Sequence, residues 1–262
     1  MIVDSHCHLD DAAFDEDRDQ VLERAREAGV GMVLAIGTGD GPPDLEAAIR
    51  LADRNEPVYA TVGIHPHDAS KADVGSLDQL AELCGHPKVV AVGEIGLDYH
   101  YDNSPREKQR EVFVDQMQIA RQAGKPIVIH TRDAWEDTME LLSTHWRPGG
   151  LSGIMHCFSG DAEQARESLE LGFLISFAGV VTFRRAERLR EAAAAVPSDR
   201  LLVETDAPYL TPEPYRKIRR NEPRYVVETA RKVAELRGAA YEQLAAETTR
   251  NFCALFDLPV PG

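Results

Sequence analysis

An α/β fold, a TIM-type (β/α)8 barrel with its active site at the C-terminal ends of the strands, is predicted by three features of the sequence. Short apolar segments alternate with amphipathic ones from end to end, the pattern of βαβ units and a parallel sheet. Eight apolar segments read as strands. His65, Glu94, His130, His156 and Asp206 each stand where such a segment stops, and catalytic residues of these barrels gather at the C-terminal ends of several strands. An open doubly wound sheet would fit the alternation, but the placing of those five residues favours the barrel. No linker, low-complexity tract or charge block divides the chain, so 1–262 reads as a single domain.

The elements follow in order. Ile2 and Val3 open the first strand, and Asp15 to Ala28 reads as a helix with Val21, Leu22, Ala25 and Ala28 on one stripe. Met32 to Ile36 is strand two, Asp44 to Arg54 a helix, and Val58 to Ile64 strand three, running into His65-Pro66-His67. Asp73 to Cys84 is helical, and Val89 to Val92 is strand four, followed by the loop Gly93-Glu94-Ile95-Gly96-Leu97-Asp98-Tyr99. Pro105 to Ala123 is the clearest helix, with Val112, Phe113, Met117 and Ala120 on one face and Gly124 as its stop. Pro126 to Ile129 is strand five, Asp133 to Ser143 a helix, and Gly153 to Met155 strand six. Ala162 to Leu171 and Ala186 to Val196 are helices around strand seven, Phe173 to Ser176. Leu201 to Glu204 is strand eight, and helices from Pro223 to Leu236 and Tyr241 to Phe256 close the chain.

Composition bounds the function. With 43% hydrophobic and 28% charged residues the chain is an ordinary globular one. A net charge of −15 argues against a general nucleic-acid or membrane coat, but leaves room for a local cationic site. Cys7, Cys84, Cys157 and Cys253 form no C-x-x-C pair, which removes a zinc ribbon or thioredoxin-type site. Met1 leads straight into a strand and no apolar run is long enough to span a bilayer, so a cytoplasmic protein without membrane association is expected. No obligate protein partner is evident.

The chemistry starts at Asp4-Ser5-His6-Cys7-His8. On a strand, alternate residues share a face. His6 and His8 then reach one metal ion, Asp4 stands beside them to orient a ligand, and Cys7 turns away into packing. Adding Glu94, His130, His156 and Asp206 gives six ligands, more than one tetrahedral ion takes and enough for two divalent ions. One arrangement gives His6, His8 and Asp206 to one ion and His130 and His156 to the other, with Glu94 bridging. Such a centre is positive and favours an anionic substrate. It supplies hydroxide at neutral pH, with Asp206 as proton acceptor and Glu204, two residues earlier on the same face, assisting.

Several segments are longer than metal binding alone requires: DSHCHLD from Asp4, GIHPH from Gly63, GEIGLDY from Gly93, HTR from His130, HCFSG from His156 and ETDAPYLTP from Glu204. Together, and in this order, they resemble the TatD family of metal-dependent hydrolases across essentially the whole chain. The resemblance implies a barrel of the amidohydrolase superfamily and a two-metal site of His6, His8, Glu94, His130, His156 and Asp206. It also implies deoxyribonuclease activity, in some members a 3′–5′ exonuclease activity on single strands. Zn, Mn or Mg are the candidate ions. The family also resembles proteins described as D-aminoacyl-tRNA deacylases, so ester or amide hydrolysis at the same site is the alternative.

Around the ligands, His65 is read as a phosphate-binding catalytic residue at a strand end. Arg216, Lys217, Arg219 and Arg220 form the one strong basic run, on the rim after strand eight, where they would grip the phosphates of a nucleic acid such as single-stranded DNA ends. Arg184 and Arg185 would extend it, and Phe158, Phe183 and Tyr209 are candidate stacking partners for bases.

Overall fold

The computed structural model describes residues 1–39, 41, 42 and 44–260. Eight strands form one sheet in sequence order: β1 (Ile2–Cys7), β2 (Val30–Ala35), β3 (Val58–Val62), β4 (Val89–Asp98), β5 (Ile127–Arg132), β6 (Gly153–Met155), β7 (Leu174–Phe177) and β8 (Leu201–Val203). Between and after them run α1 (Arg18–Glu27), α2 (Ala47–Arg54), α3 (Val74–Leu83), α4 (Arg106–Ala123), α5 (Trp135–Leu141), α6 (Ala162–Glu170), α7 (Glu187–Ala195), α8 (Val226–Arg237) and α9 (Tyr241–Phe256). Strands paired in sequence order, parallel and separated by helices, make this a (β/α)8 fold of the TIM type. No helix among the described residues is long and apolar enough to cross a membrane. The chain groups into two compact units, Ala35–Met155 and the remainder, residues 1–34 with the segment from His156 onward.

In the unit that holds both termini, β1 lies beside the end of β8. Cys7 and Ala207 form a parallel bridge, the His8 N–H donates to Ala207 O at 2.8 Å, and the Asp206 N–H donates to His6 O at 3.0 Å. Beneath these bonds Ser5 Oγ donates to Val203 O at 3.0 Å, a side chain joining the same two strands. The first helix starts at Arg18, three residues later than its apolar stripe suggests. Asp17 precedes it without capping it, because its carboxylate is taken by Arg24 and Arg220.

In the Ala35–Met155 unit, β4 runs on through Gly93 to Asp98, where the sequence predicts a loop, and β5 continues past His130 to Arg132. The glycines explain the extension. A Cβ at Gly93 would lie 2.6 Å from Val128 Cβ, and one at Gly96, whose φ is +141°, would lie 2.0 Å from His130 O. Only glycine lets β5 come this close. The register Gly96 to His130 and Asp98 to Arg132 follows, so Glu94 and His130 sit within paired strands.

The outer face of this pair is closed by α4. Val112, Phe113 and Met117 are buried there, each worth roughly 1.5–3 kcal/mol for a fully buried side chain of that size. On the same stripe stand Gln109 and Gln116, each 1% exposed, where a purely apolar face would be expected. Both amides clamp strand ends: Gln116 binds the backbone of Ile64, and Gln109 that of Asp98. Sequence reading also takes α5 to Ser143, but it ends at Leu141 and passes into a π turn over Leu142–Trp146 that buries the Trp146 ring.

Candidate metal centre

Each unit gathers ligands of its own. In the terminal unit, β1 presents His6 and His8 with their Nε2 atoms 3.3 Å apart. Asp206 Oδ1 lies 3.7 Å from the first and 3.4 Å from the second. The His156 ring, paired with His130 in the sequence reading, stacks on His6 with ring centres 3.7 Å apart. Ligand atoms of His6, His156 and Asp206 lie within 4.8 Å of one another. Asp206 has φ +56°, a left-handed conformation that aspartate tolerates better than most residues and that clusters at functional sites. Burial pushes its carboxyl up, but the hydrogen bond from His8 and the charges of His156, His6 and His8 outweigh this and leave it below the usual carboxylate range.

Two buried carboxylates support this cluster from behind. Asp4, placed by strand alternation on the His6 face, accepts from Thr205 N at 2.8 Å and Thr205 Oγ1 at 2.5 Å. It therefore anchors the turn that carries Asp206 rather than a histidine ring. Burial pushes its carboxyl up to about 8; the Thr205 bonds pull the other way, and the charge of Glu204 adds to the rise. Glu204 is fully buried, and its Oε1 accepts from His156 Nδ1 at 3.0 Å and Cys157 N at 2.8 Å. The sequence reading makes Glu204 an assistant proton acceptor. The structure shows it holding the His156 ring by Nδ1.

In the Ala35–Met155 unit, ligand atoms of His65, Glu94 and His130 lie within 4.8 Å of one another. His130 Nδ1 is 2.6 Å from Glu94 Oε1, and its Nε2 is 3.0 Å from Asp98 Oδ2. His65 stands just past β3, where its Nδ1 accepts from the His67 N–H at 3.2 Å and its Nε2 lies 3.5 Å from Glu94 Oε1. Burial pushes the His65 imidazole down to about 4 against the pull of Glu94, so it is neutral at physiological pH.

The donor set fits a cation. A neutral imidazole carries one N–H. With the His130 hydrogen on Nε2 toward Asp98, its bare Nδ1 faces a carboxylate oxygen at 2.6 Å. Two acceptors that close require a proton or a cation to hold them. The imidazole and carboxylate mixture suits Zn or Mn and admits Mg on the carboxylates.

The basic run after β8 divides. Arg220 is committed: it binds Asp17 through both nitrogens at 2.6 and 2.8 Å, Glu222 at 3.1 Å and Ala13 O at 2.8 Å. Arg24 completes the network by binding Glu222 at 2.9 Å through two nitrogens. Arg216 lies over the Phe183 ring at 3.6 Å. Lys217 and Arg219 are exposed, as are Arg184 and Arg185. Among the proposed stacking residues, Phe158 is 4% exposed and packs against Phe177. Tyr209 is 54% exposed, with its ring 6.0 Å from that of His8.

Sequence reasoning leaves Asp98 and His67 open between a pocket role and a loop role, and passes over the two clamping glutamines. The signal for Asp98 is its spacing: four residues after Glu94, it shares a face with it once β4 is read through the glycines. The signal for the glutamines is their place on an otherwise apolar stripe at 109, 112, 113, 116, 117 and 120.

Comparison with known proteins gives the family. The family model for TatD related DNases matches residues 3–257. The uncharacterized metal-dependent hydrolase YabD of Bacillus subtilis (strain 168) is 42% identical over 256 residues, covering 98% of this chain and 99% of its own length. The 3′-5′ ssDNA/RNA exonuclease TatD of Klebsiella pneumoniae (strain 342) is 38% identical over 260 residues, 97% of each chain. The crystal structure of YJJV, a TatD homologue from Escherichia coli K12, matches with a TM-score of 0.90 and 31% identity over 98% of both chains. A match that begins one residue before Asp4 and ends beyond Asp206 takes in every ligand-bearing strand end: the chain belongs to the TatD family of metal-dependent hydrolases.

Proposed function

We propose that this chain is a divalent-metal-dependent 3′–5′ exonuclease that hydrolyses phosphodiester bonds at the ends of single-stranded DNA. The observation that carries the reading is the His6, His8, His156 and Asp206 cluster, in the same unit as the exposed Arg216, Lys217 and Arg219. The relative from Klebsiella pneumoniae, 38% identical, carries the corresponding activity in its name. His6, His8, His156 and Asp206 would hold one ion, and Glu94 and His130, with His65 beside them, a second. Such ions supply a water activated at neutral pH and a positive charge for the phosphoryl oxygens.

The chain's own groups do the rest. Asp206, held ionised at neutral pH, accepts the proton of the attacking water at Oδ1. His65, neutral and with Nδ1 already occupied by the His67 N–H, has Nε2–H to donate to a phosphate oxygen. Arg216, Lys217 and Arg219 bind the phosphates that follow the scissile one, without reading sequence.

The test is to incubate purified protein with end-labelled single-stranded DNA and Mg2+ or Mn2+, beside a chelated control and a D-aminoacyl-tRNA. Stepwise release of nucleotides from the 3′ end, abolished by chelator, is the expected result. A metal-loaded protein that leaves the DNA intact and deacylates the tRNA would overturn the reading.

A further inference from the structure

We propose that Asp98 is a positioning residue of this centre: its Oδ2 holds the Nε2–H of both His130 and His67, which turns Nδ1 of His130 toward Glu94. The proposal rests on the metal-centre reading above and adds to it a residue outside the ligand set. His130 Nε2 and His67 Nε2 each lie 3.0 Å from the same oxygen, Asp98 Oδ2. The other oxygen, Oδ1, accepts the backbone N–H of His100 at 3.0 Å and of Tyr101 at 2.9 Å. The carboxylate is fully buried, and the Gln109 amide fixes its backbone by accepting from Asp98 N at 2.8 Å and donating to Asp98 O at 3.0 Å.

An ionised carboxylate only accepts hydrogen bonds. Here it accepts four, two per oxygen, so there is no capacity left to rotate or to serve another partner. When a cation takes Nδ1 on the Glu94 side, the hydrogen of His130 is on Nε2, and Asp98 Oδ2 stands 3.0 Å away to receive it. Carboxylates that fix a ligand histidine in this way typically contribute 10- to 100-fold to metal affinity. The shared oxygen also ties His130 to His67, whose ring stands 4.4 Å from His65 and 28% exposed. Asp98 therefore sets the ligand ring and the His65-Pro66-His67 turn together. Asp98→Asn is the informative change. It keeps Oδ1 for the two backbone N–H groups and replaces only the oxygen that receives the histidines.

The experiment titrates metal-free wild type and Asp98→Asn with Mn2+ and Zn2+ by calorimetry, then compares the Zn2+-loaded proteins by histidine proton–nitrogen correlation spectra at mildly alkaline pH. In the Zn2+-loaded wild type, His130 should carry its hydrogen on Nε2. In Asp98→Asn this signal should move toward a mixture, and one of the two binding events should weaken about 10- to 100-fold. The His6 and His8 signals and the thermal midpoint should hold. A Zn2+-loaded wild-type His130 with hydrogen on Nδ1 overturns the proposal, and this spectrum decides even if the variant does not fold. A folded variant with unchanged His130 signals and unchanged affinity overturns it too. Absence of metal uptake by the wild type would instead remove the metal-centre reading, while the His67 signal, with hydrogen on Nε2 in the wild type and shifted in Asp98→Asn, would still decide what Asp98 does.

Discussion

The side chain of Gln116 and the backbone of Ile64 bind each other at two points: the Ile64 N–H donates to Oε1 at 2.7 Å, and Nε2 donates to Ile64 O at 3.0 Å. A side-chain amide has the donor and acceptor of a peptide group, so Gln116 completes the backbone bonding of a residue just past the end of β3. The residue so held precedes His65, and two turns earlier Gln109 does the same for Asp98. One helix face thus sets the height of two strand ends.

Replacing Gln116 by Leu keeps the volume but leaves a buried N–H and C=O unpaired at Ile64. Each such group costs about 1–3 kcal/mol. Gln116→Leu should therefore unfold at clearly lower urea than the wild type, and KM on single-stranded DNA should rise because His65, the phosphate donor, is no longer held. A variant with the wild-type midpoint would show that water replaces the amide at no cost.

Glu204 separates two roles that a sequence leaves merged. Glu204→Gln keeps Oε1 to accept from His156 and Cys157 but removes the charge that favours His156 Nδ1–H. If Glu204 positions His156, metal affinity should fall by roughly 10- to 100-fold, and kcat at saturating metal should recover most of its value. If Glu204 takes a proton in the reaction, affinity stays and kcat falls about 10²–10⁴-fold. Calorimetry beside kcat on single-stranded DNA distinguishes the two.

The basic run calls for a split variant set. Lys217→Ala with Arg219→Ala should leave the fold alone and flatten the salt dependence of KM on single-stranded DNA, each lost phosphate contact reducing the slope by about 0.7. Arg220→Ala should act on stability, by on the order of 1 kcal/mol for a network about a third exposed. An unchanged salt slope in the double variant would return Lys217 and Arg219 to a solvated loop.

The same network gives a pH signature. Hydrogen bonds from Arg220 and Arg24 hold the Asp17 carboxyl well below its usual range. For Glu222 burial pushes the carboxyl up, but the bonds from Arg24 and Arg220 outweigh it and leave it depressed. A carboxyl with a depressed folded pKa contributes stability that is fully present above its unfolded value and is lost as pH falls through the folded one. The wild type should lose stability below roughly pH 4–5, the unfolded carboxyl range, and Arg220→Ala should lose less over that window. Urea midpoints from neutral pH downward check it; parallel curves would mean that Arg220 does not shift these groups.

Strand alternation was enough to place His6 and His8 together, because one face of a pleated strand is a local property. Glu94 and His130 are legible as strand-end residues, but Gly93 and Gly96 look like loop, so the apolar pattern stops β4 at Val92. Their actual service, a close approach of β5, depends on a partner more than thirty residues away. Arg220 could not be told from Arg219 by any neighbouring residue. Its partner Asp17 lies 203 positions earlier, and only the fold brings the two together. The sequence leaves Asp98 between lining the pocket and shaping the loop for the same reason, since a carboxylate in a loop has no fixed face.

Asp206→Asn should abolish most of the activity and leave the protein folded. The backbone at this position is left-handed, φ +56°, and asparagine adopts that region as readily as aspartate. The two backbone bonds that fix it, Asp206 N–H to His6 O at 3.0 Å and Tyr209 N–H to Asp206 O at 2.9 Å, do not involve the side chain. What changes is the oxygen 3.4 Å from His8 Nε2 and 3.7 Å from His6 Nε2. It loses its negative charge, and with it the capacity to accept a proton and much of its strength as a metal ligand. A general base contributes about 10²–10⁴-fold, so kcat on single-stranded DNA should fall by at least that much. His65, Glu94 and His130 belong to the other unit and are untouched, so metal uptake should drop without vanishing. The measurements are kcat, bound metal per chain and the thermal midpoint, each beside the wild type. Near-normal kcat with full metal content would show that Asp206 neither binds an ion nor takes the proton. Glu204 Oε1 is occupied by His156 and Cys157, but Oε2 has no hydrogen-bond partner among the described residues, so the acceptor would then be sought at Glu204 Oε2.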